Sequence, residues 1–405
     1  MGKNIIAIGA GQAAIAFAAK MRQLDETAQI TIIGEEESLP YQRPPLSKKY
    51  MTGEMEAERL LLRPEDWYEE NSINRLLSTK VTAIDLANKT VKTSDAELPF
   101  DKLIITTGSR PRALPEALGG NLKGVYALRD LKDANAIGAE ITEGKQALII
   151  GGGYIGLEAA AVLSTKGMKV RVVEMAERIL QRVAAKETSN FVRTKHQSHG
   201  VEILEGVSLK SLEAENGRVV NAIFEQGAAL AVDLVLVGIG VLPNMELAKQ
   251  AGLVCGNGIE VDGLTRTSHP DIHAAGDVAS FEYQGQRIRL ESVQNAIDQA
   301  EHAAKVIAGE TEPYLPYPWF WSDQYDMKLQ IAGLNLGYDQ TTIRPGSREG
   351  GQSVWYFKQG KFIAVDAIND SKAYMFGKKI LELGRTITPK QAGDETFDLK
   401  ELIKG

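Results

Sequence analysis

The chain has 405 residues, of which 43% are hydrophobic and 24% charged, and at roughly 150 residues per domain this length predicts two or three globular domains. Its formal net charge of −7 argues against a non-specific nucleic-acid binder. Its single cysteine, Cys255, excludes an internal disulfide, an all-cysteine zinc site and a cysteine-ligated iron–sulfur cluster. No segment reaches the ~18 uninterrupted apolar residues of a membrane helix, so we expect a cytoplasmic protein without membrane contacts.

Two separated segments of the chain share one order of predicted elements. In each, a short apolar run meets a glycine-rich turn, a helical pattern follows, and a second apolar run ends beside a glutamate. Short β-rich runs that alternate with a helix of this length are typical of a βαβ unit in a parallel sheet. The apolar runs cover 4–8, 29–33, 147–150 and 169–173, and the helical patterns cover 12–24 and the stretch that ends at 166.

Later segments are predicted to complete these two sheets and to add a third domain. After Pro318, alternating runs separated by glycine-rich turns indicate a small antiparallel domain, followed by a helical pattern over 371–383. The expected fold class is α/β, with two Rossmann-like dinucleotide-binding domains and a C-terminal α+β domain. The runs that complete the sheets cover 103–107, 234–239 and 272–275, and the alternating runs cover 328–332, 341–344, 353–357 and 362–367.

Each glycine-rich turn matches a dinucleotide-binding fingerprint. A pyrophosphate needs backbone N–H donors at close range, and glycines let the chain approach it at the positive end of a helix. Glu35 and Glu174 stand about 20 residues further on, where a carboxylate accepts hydrogen bonds from ribose hydroxyls. Two such sites predict two dinucleotides, FAD and a nicotinamide nucleotide. The fingerprint positions are Gly9, Gly11 and Ala14 in the first turn and Gly151, Gly153 and Gly156 in the second.

Two further segments resemble motifs of flavoprotein reductases that bind two dinucleotides. The stretch TSHPDIHAAGD resembles their second FAD fingerprint, in which the final aspartate, here Asp277 after Gly276, binds the ribityl chain. The stretch ITTGS, with Thr107 and Gly108, resembles their crossover between the FAD and nucleotide domains. We place the domains at 1–113 and 244–321 for a glutathione-reductase-like FAD-binding domain, 114–243 for the NAD-binding domain, and 322–405 for the C-terminal domain.

The order of the motifs is specific to one branch of these flavoproteins. The stretches LPYQRPPLSKKY, GGGYIGLEAA, VGIGVLPN, TSHPDIHAAGD, ESVQNA and PWFWSDQ follow one another as they do in the FAD-dependent NADH:ferredoxin reductases of bacterial oxygenase systems, which the chain resembles. The similarity spans nearly the full length and is weakest at the C-terminal end. It implies FAD in the N-terminal domain, NADH in the central domain and a C-terminal interface domain.

The same resemblance implies a set of cofactor contacts. The implied FAD contacts are Gly9, Gly11, Gln12, Ala13, Ala14, Glu35, Arg43, Lys48, Val81, Thr107, Gly108, Arg129, Gly276, Asp277 and Val293. The implied NADH contacts are Gly151, Gly153, Tyr154, Ile155, Gly156, Glu174 and Gly240. No metal site is expected, because His196 and His199 lack a third ligand nearby, and we interpret them as a surface pair.

The scarcity of cysteine restricts how electrons leave the flavin. Many relatives of this architecture pass electrons to a redox-active cysteine beside the flavin, but the sequence has no C-x-x-C, and Cys255 lies outside every flavin-facing motif. Since NADH delivers two electrons as hydride and an iron–sulfur protein accepts one at a time, the flavin itself must bridge the mismatch. The chain cannot ligate its own cluster, so the acceptor is another protein. The resemblance implies a [2Fe-2S] ferredoxin that feeds a haem-thiolate monooxygenase.

The resemblance also implies the residues beside the reacting ring. Lys48 is the candidate near flavin N5, with Glu158 from the second glycine helix as its ion-pair partner. Ser292 is the expected N-cap of a helix whose positive end would face the flavin pyrimidine edge. Trp321, with its neighbour Trp319, lines the flavin edge or the electron-exit surface, or packs between domains, and the sequence leaves these alternatives open.

Charge gives two further expectations. Glu174 would repel a 2′-phosphate, so NADH is expected over NADPH, although Arg178 and Arg182 could weaken the preference. Small ferredoxins are typically acidic, so a local basic face is expected in the C-terminal part of the chain. The candidates for that face are Arg287, Arg289, Lys328, Arg344, Lys372, Lys378 and Lys379.

Two other functions are compatible with the sequence. A flavin-dependent NADH oxidase or rubredoxin reductase would turn over with oxygen or rubredoxin alone. A non-enzymatic redox sensor that resembles apoptosis-inducing factor would change partners when its flavin is reduced, although the acidic net charge does not favour this reading.

Overall fold

The computed structural model describes residues 2–227, 229–346 and 348–404. The chain divides into two compact units. The domain boundaries expected from the sequence stay a prediction, and the segment 44–55, which we had placed in the FAD-binding domain, falls in the second unit. The first unit comprises the residues up to Arg43, Glu56–Arg110 and Val241–Pro316, and the second comprises Pro44–Met55, Pro111–Gly240 and the residues from Tyr317 onward.

The helices and strands are numbered in chain order. The helices are α1 (Gln12–Leu24), α2 (Glu65–Glu70), α3 (Leu131–Glu140), α4 (Tyr154–Thr165), α5 (Lys186–Ser198), α6 (Glu246–Gln250), α7 (Val293–Ile307), α8 (Ser371–Glu382) and α9 (Pro389–Gly393). Short 3₁₀ helices cover Pro44–Ser47, Ala57–Leu60, Glu116–Leu118, Gly276–Val278 and Leu399–Leu402. The strands are β1 (Asn4–Ile8), β2 (Gln29–Ile33), β3 (Ile73–Leu76), β4 (Val81–Asp85), β5 (Thr90–Thr93), β6 (Glu97–Pro99), β7 (Lys102–Ile105), β8 (Ser109–Pro111), β9 (Val125–Tyr126), β10 (Gln146–Ile150), β11 (Lys169–Glu174), β12 (Glu202–Glu205), β13 (Leu209–Glu215), β14 (Arg218–Phe224), β15 (Ala229–Ala231), β16 (Leu234–Val237), β17 (Val241–Pro243), β18 (Cys255–Gly256), β19 (Gly258–Glu260), β20 (Ile272–Ala274), β21 (Ala279–Tyr283), β22 (Gln286–Ile288), β23 (Trp319–Gln324), β24 (Met327–Gly333), β25 (Gln340–Pro345), β26 (Gln352–Lys358) and β27 (Lys361–Ile368).

The first unit is built on a parallel sheet with the strand order β20-β7-β1-β2-β3. β1 pairs in parallel with β2 and β7, so that Ile5 stands opposite Ile30 and Lys102. Helices α1 and α7 pack against each other, and both bury alanine-rich faces that include Ala14 and Ala300. Alanine favours the helix and leaves room for the close approach of two helices. The antiparallel strands β4–β6 and the group β18, β19, β21 and β22 complete the unit.

The second unit holds another parallel sheet, the small antiparallel sheet β13-β14-β15 and a larger antiparallel sheet. The parallel sheet has the order β12-β11-β10-β16-β9, and α4 packs on β10 and β11. The C-terminal sheet has the order β23-β24-β27-β26-β25, and its core with α8 is formed by residues such as Trp355, Phe362 and Ile380. α4 also contacts β23, so the second glycine helix packs against the C-terminal sheet.

The expected α/β class with a C-terminal α+β part is confirmed. Helix α1 and strands β1 and β2 have the predicted bounds, and α7 begins one residue earlier than predicted, at Val293. The aromatic stretch from Trp319 forms strand β23, which is not among the strands expected from the sequence. Within the described ranges, no helix is long and apolar enough to cross a membrane.

Candidate active site

The first glycine turn follows β1 directly. Gly9 has a φ of +111°, and a Cβ at this position would lie 2.3 Å from the Thr106 carbonyl oxygen, so only glycine fits. A Cβ at Gly11, the N-cap of α1, would meet no heavy atom of the described chain within 4 Å. The turn is therefore closed toward the sheet and open at the start of α1, where backbone N–H groups and the helix dipole favour an anionic pyrophosphate.

Most of the expected FAD residues of the first unit meet at one edge of its sheet. Strands β1, β2, β7 and β20 are parallel neighbours, so their carboxyl ends lie side by side. Glu35 follows β2 and is exposed, Thr107 and Gly108 follow β7, and Gly276 and Asp277 follow β20. Ligands of open α/β sheets bind outside the carboxyl ends of the strands, which is where these residues are collected.

Hydrogen bonds hold the residues that follow β20. Ser109 Oγ donates to Asp277 Oδ2 at 2.8 Å, and Arg289 donates to the Asp277 carbonyl oxygen at 2.9 Å. The Gly276 N–H donates to Gln299 Oε1 at 2.9 Å. Gln299 is fully buried, and its Nε2 has no hydrogen-bond partner among the described residues. A buried amide donor left in this way beside the sheet edge fits a cofactor that supplies an acceptor.

The starts of two helices carry further expected FAD contacts. Gln12, Ala13 and Ala14 form the first turn of α1, and Ala13 and Ala14 are buried. Val293 is the first residue of α7, and Ser292 Oγ accepts a hydrogen bond from the Asn295 N–H at 3.2 Å. The expected N-cap is therefore confirmed.

Four expected FAD contacts lie away from these turns. Val81 begins β4 and is buried, and Arg43 is ion-paired with Glu36. Lys48 and Arg129 belong to the second unit. The four positions stay predictions as cofactor contacts.

The second glycine turn repeats the construction of the first. Gly151 has a φ of +106°, and a Cβ there would lie 2.4 Å from the Gly238 carbonyl oxygen. A Cβ at Gly156 would lie 2.4 Å from the Gly151 carbonyl oxygen, whereas one at Gly153 would meet no described heavy atom within 4 Å. As in the first turn, the sheet side is closed and the helix start is open, which fits a second dinucleotide.

Glu174, at the end of β11, is tied to this turn. Its Oε2 accepts the Gly152 N–H at 2.7 Å, and its Oε1 accepts the Ala176 N–H at 2.8 Å. Gly240 follows β16 with a φ of +102°. Glu174 and Gly240 thus lie at the carboxyl edge of the second parallel sheet, with the glycine turn.

Three other residues near the second turn, Tyr154, Ile155 and Arg178, differ in burial and in hydrogen bonding. Ile155 is exposed, whereas the Tyr154 hydroxyl oxygen is buried and has no hydrogen-bond partner among the described residues. Burial raises the pKa of Tyr154 well above its usual value. Arg178, which could have favoured NADPH, donates to Ser189 Oγ and to the Ala184 carbonyl oxygen, and so holds its own loop together.

Lys48 and Glu158 form a partly buried ion pair within the second unit. Lys48 Nζ lies 2.7 Å from Glu158 Oε2, and the Glu158 residue is 6% exposed. Ser47 Oγ donates to the same oxygen at 2.9 Å, and Ser322 Oγ donates to Glu158 Oε1 at 2.7 Å. The ion pair expected from the resemblance is present. The two serines were missed, although both lie inside stretches that carry the resemblance, RPPLSK and PWFWSDQ.

The interpretation of His196 and His199 as a surface pair is wrong for His196. His196 is fully buried, and its Nε2 lies 2.7 Å from Gln324 Oε1. Burial lowers the pKa of His196 to about 4. His199 is exposed and stacks on the Tyr325 ring, with 3.8 Å between ring centroids. The error arose because a helix pattern alone does not show that α5 packs one of its faces on the C-terminal sheet.

The tryptophans of β23 lie in an aromatic group of the second unit. The ring centroids of Trp319 and Trp321 are 5.5 Å apart, and those of Trp319 and Tyr374 are 6.3 Å apart. Lys378 Nζ lies 5.0 Å from the centroid of the Trp319 ring, a cation–π geometry. Both tryptophans are half-buried. The three roles considered for Trp321 stay open.

The arginine candidates for a basic docking face have internal partners. Arg287 donates to the Ser280 carbonyl oxygen at 2.8 Å and is ion-paired with Glu260. Arg344 donates to the carbonyl oxygens of Asp394 and Phe397 at 2.7 and 2.9 Å, and so fastens the C-terminal segment. The side chain of Arg289 is 7% exposed and forms an ion pair with Glu291. Among the lysines of α8, Lys372 and Lys379 are exposed and Lys378 is half-buried, and both Lys378 and Lys379 are ion-paired with Glu382.

Comparisons with known proteins agree with this construction. Residues 3–300 match the family described as pyridine nucleotide-disulphide oxidoreductase, and residues 319–403 match the family described as reductase C-terminal. Rhodocoxin reductase of Rhodococcus erythropolis is 38% identical over 403 residues, which cover 99% of this chain and 94% of the relative.

Two solved structures share the whole architecture. The crystal structure of the ferredoxin reductase for the CYP199A2 system of Rhodopseudomonas palustris has a TM-score of 0.96 at 39% identity and covers 100% of both chains. The covalent putidaredoxin reductase–putidaredoxin complex has a TM-score of 0.95 at 37% identity and covers 99% of this chain and 98% of the other. The cofactors of the family are FAD and a nicotinamide nucleotide, and both glycine turns fit a dinucleotide. The chain belongs to the ferredoxin reductases of bacterial oxygenase systems, a branch of the pyridine nucleotide-disulphide oxidoreductases.

Proposed function

We propose that this protein oxidises NADH with a bound FAD and passes the electrons one at a time to a [2Fe-2S] ferredoxin, which serves a haem-thiolate monooxygenase. The observation that carries the proposal is the pair of glycine turns, each open at a helix start and closed by a carbonyl oxygen of the sheet. Two such turns in one chain provide for two dinucleotides, which an electron transfer from one to the other requires.

The first unit is the proposed FAD site. The N–H groups at the start of α1 would bind the pyrophosphate, and Glu35 would accept hydrogen bonds from the adenosine ribose. Asp277, which Ser109 holds at 2.8 Å, would bind the ribityl chain. The start of α7, capped by Ser292, would place a positive helix end at the pyrimidine edge of the ring.

The second parallel sheet is the proposed NADH site. The N–H groups after Gly153 would bind the pyrophosphate at the start of α4. The Glu174 carboxylate would accept hydrogen bonds from the adenosine ribose and repel a 2′-phosphate, which favours NADH over NADPH. The engagement of Arg178 with its own loop supports that preference, because it leaves one cation fewer for the 2′-phosphate.

Bound FAD supplies the chemistry, since it accepts a hydride and gives up electrons singly. The task of the chain is to bind and orient the two dinucleotides and to set the charge around the ring. Lys48 is the proposed cation near flavin N5, and Glu158 holds it in place through the 2.7 Å ion pair. An ion pair that is half-withdrawn from water has a defined geometry, whereas a solvated lysine does not.

The single cysteine supports direct transfer of electrons from the flavin. Cys255 begins β18 and is half-buried, and burial raises the pKa of its thiol, so the thiolate is disfavoured at neutral pH. The acceptor is therefore a separate protein, and Trp321 with Trp319 is proposed to lie on the route of the electrons. The same scarcity of cysteine favours a reducing, cytoplasmic setting.

The experiment is to purify the protein, restore FAD and add NADH under anaerobic conditions. We expect a yellow protein that NADH bleaches, and cytochrome c reduction that depends on added [2Fe-2S] ferredoxin. A protein that cannot take up FAD would overturn the proposal. In a separate assay, equal turnover with oxygen in aerated buffer, or with rubredoxin in place of ferredoxin, would indicate an oxidase or a rubredoxin reductase instead.

A further inference from the structure

A continuous row of hydrogen bonds extends from Glu158 into the second unit, on the side away from Lys48. Ser322 Oγ donates to Glu158 Oε1 at 2.7 Å, and Gln324 Nε2 donates to Ser322 Oγ at 3.1 Å. Gln324 Oε1 lies 2.7 Å from His196 Nε2. The row joins α4, β23 and α5, and we call it the Glu158 chain.

Every member of the Glu158 chain is withdrawn from water. Ser322 and His196 are 0% exposed, Gln324 is 1% exposed and Glu158 is 6% exposed. A buried carboxylate is costly unless donors surround it, and a buried amide or imidazole is costly unless both of its polar ends are paired. The hydrogen bonds of the Glu158 chain satisfy all of these buried groups, because each side chain binds the next one through its remaining polar atom.

The carboxylate fixes the direction of every hydrogen bond in the row. Glu158 Oε1 accepts from the Ser322 hydroxyl, which has only one proton to donate. Ser322 Oγ then accepts from the Gln324 amide, which orients Gln324 with its oxygen toward His196. His196 must therefore carry its proton on Nε2. The lowered pKa of His196, about 4, agrees with a neutral ring.

We propose that Ser322, Gln324 and His196 are positioning residues for the reaction. They hold the Glu158 carboxylate in one rotamer and one direction, so that its second oxygen faces Lys48. Ser47 binds that same second oxygen, and Ser322 of the Glu158 chain binds the first. The inference rests on the proposed function, in which Lys48 acts on the flavin, and it adds residues that reach the flavin only through Glu158 and Lys48.

At its other end, the Glu158 chain is hydrogen-bonded through His196 and Tyr325 back to α4. His196 Nδ1 lies 3.4 Å from the Tyr325 hydroxyl, which lies 2.8 Å from Ser164 Oγ on α4. The row therefore begins and ends on α4 and passes through the C-terminal sheet and α5. A shift of β23 relative to α4 would be felt at Glu158, which gives the C-terminal sheet a direct mechanical connection to the ion pair.

The test compares Ser322→Ala with Ser353→Ala. Both serines are fully buried in the C-terminal sheet, but Ser353 accepts from the Trp355 indole and lies outside the Glu158 chain. We expect S322A to lower the limiting rate of flavin reduction by NADH about tenfold, which corresponds to a rise of about 1.4 kcal/mol in the activation free energy. The dissociation constant of NADH should stay within about twofold. S353A should leave the rate unchanged.

A double-mutant cycle separates positioning from general damage. In a Lys48→Met background, S322A should change the limiting rate by less than about twofold, because the residue it positions is gone. The flavin midpoint potential should shift in the same direction in S322A and K48M, and not in S353A. A tenfold loss by S322A in both backgrounds, or an equal loss in S353A, would overturn the proposal.

A second measurement does not depend on catalysis. Imidazole nitrogen shifts of the 5 histidines, assigned with a His196→Asn variant, should show a neutral Nε2–H tautomer for His196 at pH 7. The variant Gln324→Met keeps the size of the side chain and should mix the two tautomers. An Nδ1–H tautomer of His196 in the unmodified protein would refute the proposed order of hydrogen bonds in the Glu158 chain. A protein that shows the expected tautomer but no reduction by NADH would refute the proposed function alone.

Discussion

The Glu174 carboxylate accepts a hydrogen bond from the Gly152 N–H at 2.7 Å. Glu174 is the last residue of β11, and Gly152 lies 22 positions earlier, in the second glycine turn. This hydrogen bond fixes the carboxylate that is proposed to bind the adenosine ribose of a nicotinamide nucleotide. The charge that we propose distinguishes NADH from NADPH is therefore held by the turn that is proposed to bind the pyrophosphate.

We predict that Glu174→Gln weakens the discrimination between the two nucleotides. The amide keeps an acceptor oxygen for the Gly152 N–H, gives up the acceptor for the Ala176 N–H, and removes the negative charge that is proposed to repel a 2′-phosphate. The ratio of kcat/KM for NADH to that for NADPH should fall about tenfold, or about 1.4 kcal/mol. Glu177→Gln makes the same charge change at an exposed position three residues away and should leave the ratio unaltered. An unchanged ratio in E174Q would show that other groups set the preference.

Retention of FAD should depend on Asp277 and, to a smaller degree, on Ser109. Asp277→Ala removes the expected ribityl contact, and we predict at least a tenfold loss of FAD affinity. Ser109→Ala removes a single hydroxyl donor to Asp277, worth about 1 kcal/mol, or about fivefold. The measurement is titration of the deflavinated protein with FAD, followed by flavin fluorescence.

The control for the FAD titrations is Ser280→Ala. Ser280 is 1% exposed in the same unit, and its hydroxyl has no hydrogen-bond partner among the described residues. Its removal should not affect FAD affinity. Equal losses in S280A and S109A would indicate that the first unit as a whole had been weakened.

The two glycine turns could be predicted because their pattern is local. Each combines a strand, a glycine-rich turn, a helix start and a glutamate within one short segment of sequence. The carbonyl oxygens that leave room only for glycine, those of Thr106 and Gly238, come from distant segments. Helix α1 was predicted with correct bounds for the same reason, since its alanine-rich pattern runs from Gln12 to Leu24 without a break.

The Glu158 chain could not be predicted because it joins distant segments. Ser322 and Glu158 are 164 positions apart, and Gln324 and His196 are 128 positions apart. Nothing in the sequence near His196 shows that its helix face is covered by β23, so a buried imidazole looked like a surface one. The ion pair of Lys48 and Glu158, 110 positions apart, was found only through the resemblance.

Reduction of the ferredoxin should depend on Lys378 and on salt. Lys378, on α8, lies over the ring of Trp319. A positive charge there could attract an acidic protein toward the tryptophans. We predict that Lys378→Glu slows ferredoxin-dependent cytochrome c reduction about tenfold at low salt and flattens its salt dependence. Ferricyanide reduction should be unaffected in the same samples.

Lys210→Glu, at an exposed position on β13, provides the matched charge change for the ferredoxin experiment. It should alter neither rate. If K210E and K378E slow ferredoxin reduction equally, net charge rather than a local docking face governs the encounter.

Burial of Asp366 should make stability fall as the pH rises. Asp366 is 1% exposed on β27 and accepts hydrogen bonds from the hydroxyls of Tyr356 and Thr188. Burial raises its pKa from 3.8 to about 6, against the opposing effect of the two hydroxyls. The folded protein therefore binds this proton more tightly than the unfolded chain. The stability that the protonated carboxyl contributes is complete below about pH 4 and is lost as the pH rises through 6.

The Asp366→Asn variant isolates this contribution. The asparagine keeps an acceptor oxygen for the two hydroxyls and cannot ionise. Between pH 4.5 and 7 the variant should gain stability relative to the unmodified protein, up to about 3 kcal/mol for a shift of this size. Burial of His196 and His273, each with a pKa near 4, acts in the opposite direction but is common to both proteins and cancels in the difference. The measurement is the difference in Tm by calorimetry across that range, with the exposed Asp339→Asn as control. A difference that stays constant with pH would show that Asp366 does not titrate there.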